Sequence, residues 1–137
     1  MTLEEEVNHP KHYTSHESGI QAIEITRYLI GDLSNAWKYA MRYEDKKTPK
    51  KDLQKLCWYL NDFRENFIDE NNVCTGNVFL TNEILCRMMD VINAEPVEAI
   101  RNCFKLIYHI TTDGGLVNPE EFDKVIADVT SLSETFS

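Results

Sequence analysis

From Pro49 onward, apolar side chains recur at Leu53, Leu56, Leu60, Phe63 and Phe67, in steps of three and four residues. That spacing fits one face of an α-helix and no face of a strand, whose side chains alternate every second residue. A proline in the first turn suits the start, because an N–H there has no intrahelical partner to lose. The pattern predicts a helix from Pro49 to about Asp69. Whatever else the chain forms must cover an apolar stripe about four turns long.

The remaining segments read the same way. After Gly19, the run IQAIEITRYLI carries Ile20, Ile23 and Ile30 and, one stripe over, Ala22, Ile25 and Leu29, a helix ended by Gly31-Asp32. Asp32 or Leu33 opens a second helix through Arg42, with Leu33, Trp37, Ala40 and Met41 on one side and Asn35, Lys38 and Arg42 on the other. EDKKTP is a turn. Thr81 or Asn82 caps a helix through Ile92, and Pro96, placed as a first-turn proline, opens another to about Ile110. Asp113-Gly114-Gly115 ends that one, and Asn118-Pro119-Glu120-Glu121 starts a last helix through Leu132. No segment sustains strand alternation and no internal repeat is found. The expected fold is all-α, a single-domain bundle of about six helices behind an extended N-terminal segment, with 1–137 as one domain.

In the second half, Ile84, Leu85, Met88, Met89 and Ile92 spread over a wide arc, and Phe104, Leu106, Ile107, Tyr108 and Ile110 do the same. The reading is a homo-oligomer whose interface comes mainly from 80–110, within additional helices over 80–132. The alternative is that this half forms the buried centre of the monomer.

The charge balance narrows the partners. With 23 acids against 14 bases the net charge is −9, so the overall field repels polyanions and argues against general binding of duplex nucleic acid. A phosphate must be met by a local cluster. No apolar run approaches a membrane span. The four cysteines form no CxxC pair and no signal-like segment opens the chain, which points to free thiols and a cytoplasmic location.

Two groups of residues carry candidate chemistry. The opening NHPKHYT places His9, Lys11, His12 and Tyr13 around Pro10, with His16 just beyond. Histidines so closely spaced suit a metal, but Pro10 forbids a regular helix through the first two and no cysteine lies near, so no metal is assigned. The same atoms serve as donors to an anion, or as hydrogen-bonding groups that merely pin the segment. The second group, Asn35, Lys38 and Arg42, gathers an amide, an ammonium and a guanidinium within about two turns of one helix, which suits a base edge and phosphates. Periodicity alone favours a solvated face, with the cations neutralised by Glu24, Asp45 or Asp52. Of the nearby aromatics, Trp37 and Trp58 are expected in the core, and Tyr39 or Tyr59 against a ligand.

Three further patterns do not hold. Glu95-x-x-Glu98 and Glu120-x-x-Asp123 resemble paired magnesium-binding acids, but both fall at expected helix starts, where acids suit the helix dipole anyway. DGGLVNPEE lacks the first two acids of a calcium loop. No GxxxxGK is present.

NHPKHY, then Gly19 and Glu24, then NAWKYAMRY, then DLQKLCWYL resembles the SaV-like small domain family carried mainly by bacteriophages. Its blocks, Asn-His-Pro-x-His-Tyr, Asn-x-x-Lys-Tyr-x-x-Arg and Asp-Leu-x-Lys-x-x-x-Tyr-Leu, occur in order over about 7–61. Ser34 stands where the family usually has glycine. One relative is a phage nucleotide kinase without a phosphate-binding loop. The resemblance implies a phage-encoded protein of the host cytoplasm that binds a nucleotide or nucleotide-derived phosphate through His9, Lys11, His12, Tyr13, Asn35, Lys38, Tyr39 and Arg42. Whether it is an enzyme stays open. A monophosphate kinase would need magnesium, for which Glu24 and Asp52 are the candidates; no other cofactor is expected. The alternatives are a non-catalytic sponge for a host signalling nucleotide, and an adaptor acting on a host protein.

Overall fold

The computed structural model describes residues 16–43, 48–74 and 80–137. These form six α-helices: α1 (Ile23–Thr26), α2 (Gly31–Arg42), α3 (Pro49–Asn66), α4 (Asn82–Ala94), α5 (Glu98–Thr112) and α6 (Pro119–Glu134). Among the described residues the only strand-like pairings are two isolated bridges, Ile68 with Cys74 and Val73 with Leu116. The fold is all-α.

The stripe that constrained the sequence is the spine of the bundle. Leu53, Leu56, Leu60 and Phe63 are completely buried, covered by α2 on one flank and α6 on the other. Phe63 stacks parallel to Phe122 of α6 at 5.9 Å between ring centres. From α2, Trp37 lies 4.5 Å from Phe104 of α5, so α5 closes the core behind α2 and also packs on α4 and α6. Each such fully buried large side chain contributes about 1.5–3 kcal/mol of hydrophobic stabilisation.

Three of the boundary differences from expectation have identifiable local reasons. The first helix shrinks to four residues. Ile25, Tyr28 and Leu29 bond back three residues, to Ala22, Ile25 and Thr26, in tight turns; β-branched Ile23, Ile25 and Thr26 favour the regular helix weakly. The Ser34 hydroxyl then donates to the Thr26 carbonyl at 2.9 Å, tying α2 to α1. Further along, α3 stops at Asn66 rather than near Asp69. The Asp69 carboxylate accepts from the amides of Asn71 and Val73 at 2.8 and 3.0 Å, a local bond that competes with the helix ladder.

The third difference concerns Pro96. It is not a first-turn residue: α5 begins at Glu98 with Val97 as N-cap. A proline disfavours helical backbone in the residue before it, and Glu95 is accordingly extended. Glu95 therefore ends α4 instead of opening α5. By contrast, Thr81 and Asn118 cap α4 and α6 through their side-chain oxygens, as their positions predict.

Loop crossings hold the second half in place. Cys74 N–H donates to Gly115 O and Val117 N–H to Asn72 O, both at 2.7 Å, joining the segment after α3 to the α5–α6 turn. Gly115 is at φ +88°, and a Cβ there would stand 3.3 Å from that of Cys74, so the crossing requires glycine. The wide apolar arcs are largely consumed inside the monomer. Ile84, Met88, Ile92, Phe104, Leu106, Ile107 and Ile110 are buried, leaving Leu85, Met89 and Tyr108 partly open. No described helix is long and apolar enough to cross a membrane.

Candidate functional site: a cation-ringed tyrosine on the α2–α3 hairpin

Helical spacing brings Lys38, Tyr39 and Arg42 to one flank of α2, and the antiparallel α3 sets Asp52, Lys55 and Tyr59 beside them. The Tyr39 ring is the centre. Lys38 Nζ lies 4.8 Å from its centroid, Arg42 Cζ 5.1 Å and Lys55 Nζ 5.4 Å. All three are within the range at which a cation is drawn to an aromatic face. Tyr59 stacks on Tyr39 at 5.9 Å with 13° between planes, and Trp58 meets Tyr59 edge-on at 5.1 Å.

The electrostatics match that crowding. Partial burial holds the Lys38 ammonium below the ordinary lysine range, the charges of Arg42 and Lys55 lower it further, and Asp52 offsets part of the effect. Asp52 is almost wholly buried. Among the described residues, Lys38, Arg42 and Lys55 stand around the ring and Asp52 is the carboxylate that acts on Lys38, a locally positive balance on a chain that is acidic overall. Bringing an anion here relieves the mutual repulsion of the cations, while an aromatic group has rings to stack on.

Arg42 is not the exposed-face residue its position suggested; it is 8% exposed. Trp37 is core as expected, donating its indole N–H to Met41 Sδ at 3.0 Å. Trp58 is not: it is 61% exposed. The signal was in the sequence, since Trp58 is two residues from both Leu56 and Leu60 and so lies across the helix axis from the stripe. Lys55 was missed because its partners sit on α2.

The other expected residues are distributed differently. Asn35 shares the helix but turns back, its amide donating to Gly31 O at 3.2 Å. Glu24 turns one carboxylate oxygen to its own helix start, where it accepts from Gln21 N–H at 2.7 Å. Its carbonyl takes a bond from Arg87. Among the described residues no three histidine, cysteine or acidic side chains converge in a way that would hold a metal. His9, Lys11, His12, Tyr13 and Asp45 lie outside the described residues.

His16 is described, and it is engaged in the fold. Its Nδ1 accepts from Ser18 N–H at 3.1 Å, which leaves the Nε2 proton to donate to Glu95 Oε1 at 3.3 Å. A separate cavity of about 430 Å³ is lined by Asn71, Asn72, Asp113 and a His109–Glu121 pair at 3.0 Å, among others. None of the residues around Tyr39 lines it.

No curated protein and no solved structure matches the chain. One family model, described as a protein of unknown function (DUF3310), matches residues 7–61, the stretch that carries α1, α2, most of α3 and every residue of the Tyr39 cluster.

Proposed function

We propose that this is a phage-encoded nucleotide-binding protein that holds the phosphates of its ligand with Lys38, Arg42 and Lys55 and its aromatic part against the neighbouring rings. The observation that carries the reading is the ring of three cations around Tyr39 on a chain of net charge −9. Arg42 supplies a planar fork and the lysines movable point charges, the pairing suited to phosphate oxygens. In the same reading His9, Lys11, His12, Tyr13 and Asn35 add donors to phosphate, sugar or base.

Binding is favoured over phosphoryl transfer. A kinase needs magnesium at the phosphates, and of its two candidate holders Asp52 is almost wholly buried while Glu24 already gives one carboxylate oxygen to the Gln21 amide. Incubation with nucleotide mixtures, followed by analysis of bound and free species, is the test. Retention without change supports a binder, including one that sequesters a signalling nucleotide. Turnover replaces that with the kinase. If nothing is retained or converted the nucleotide reading fails, and an adaptor for a host protein takes its place.

A further inference from the structure

The chain has two tryptophans, and the fold treats them oppositely. Trp37 is completely buried; Trp58 is 61% exposed, the most open large apolar side chain described. It lies opposite the buried stripe of α3, so folding does not call for an indole there; a polar residue is the ordinary occupant of such a helix face. Yet it is placed in register with the cation cluster. Trp58 stands edge-on to Tyr59, Tyr59 lies parallel to Tyr39, and Tyr39 is the ring surrounded by Lys38, Arg42 and Lys55. Lys55 and Trp58 are three residues apart on α3, hence neighbours one turn along the same surface.

An aromatic row thus runs from a charged end to an open end. Phosphates belong at the first, where the cations are. The second offers an uncovered indole face, and stacking on such a face is open to any flat base. We propose that Trp58 is the specificity-determining residue of this site: the base of the ligand stacks on its indole while the phosphates reach the cations around Tyr39. This rests on the nucleotide reading above and adds to it a consequence, that the site prefers nucleotides to sugar phosphates and to inorganic phosphate. The required ligand carries a flat aromatic ring and an anionic group about one helical turn apart.

The burial of Trp37 makes the test direct, since quenching of tryptophan emission by a ligand reports on Trp58. Affinities are measured by calorimetry for nucleoside mono-, di- and triphosphates, ribose 5-phosphate and inorganic phosphate, using the wild type, Trp58→Ala and Trp58→Phe. The expectation is emission quenching by nucleotides, a loss of roughly 5- to 150-fold in nucleotide affinity in Trp58→Ala, unchanged affinity for ribose 5-phosphate, and recovery of most of the loss in Trp58→Phe. Equal nucleotide affinity in wild type and Trp58→Ala overturns the stacking role while leaving the nucleotide reading intact. So does an equal loss for ribose 5-phosphate, or a fall in molecular mass in Trp58→Ala, which would mean that the indole is covered by another copy. A wild type that binds neither nucleotide nor sugar phosphate removes the nucleotide reading itself.

Discussion

His16 Nε2 lies 3.3 Å from Glu95 Oε1, with 6% and 3% of the two side chains exposed, so a sequence separation of 79 residues is closed by one buried polar contact. Glu95 uses its other oxygen to accept from Val97 N–H at 3.1 Å. The imidazole meets Phe104 in a T-shaped contact, 6.1 Å between ring centres, and Phe104 in turn packs on Trp37 of the site helix. The contact fixes the start of the described chain to the α4–α5 junction and to the core beneath α2.

His16→Ala leaves the buried Glu95 oxygen without its partner and opens space beside Phe104. The expected cost is about 2–3 kcal/mol, read as a lower urea midpoint at unchanged slope. A midpoint equal to that of the wild type would show the pair contributes nothing net.

The Asp32 carboxyl has one oxygen sealed from solvent. Burial first, then a hydrogen bond that the protonated carboxyl donates to Asp62 and the negative charge of Asp62, push it up to about 6 from the usual 3.8. A folded-state value above the unfolded one means stability that is full below about pH 4 and is lost as pH rises through about 6. Asp32→Asn should therefore flatten the pH dependence of stability across that window and raise stability at pH 7, by on the order of 1 kcal/mol once solvent screening is discounted. Parallel pH profiles for the two proteins would contradict this.

Because Arg42 is buried and Lys55 is not, their alanine variants should separate. Arg42→Ala lowers both stability and nucleotide affinity, since packing over Tyr39 is lost with the charge. Lys55→Ala leaves stability within about 0.5 kcal/mol and lowers affinity alone. Thermal melts alongside nucleotide titrations check it; a Lys55→Ala protein that melts normally and binds normally removes Lys55 from the site.

The expected homo-oligomer now has a narrower basis, because most of the wide arcs of α4 and α5 are covered within one chain and Leu85, Met89 and Tyr108 are the partly open remainder. If they form a contact between copies, light scattering gives a mass above the 15.9 kDa of one chain. Met89→Glu then returns it towards that value with helical signal retained. A wild-type mass near 15.9 kDa means the second half serves only as the centre of the monomer.

Which residues form helices, and which face of each is apolar, was decided locally: the steps from Leu53 to Phe63 and the caps at Thr81 and Asn118 are properties of a few consecutive residues, legible without knowing their neighbours. Asn35, Lys38 and Arg42 were placed on one face by the same rule, with Tyr39 among the aromatics near it. Periodicity assigns a face relative to the helix's own axis only. What stands opposite that face depends on contacts distant in sequence, and so Lys55 joined Tyr39, Arg42 sank beneath the surface, and Glu95 became the partner of His16 only in the tertiary structure. Trp58 lies between the two cases. Its position across the axis from the stripe could be counted from the sequence, but that no other described element covers that side of α3 is a fact of packing, set by α2 and α6 taking the other flanks.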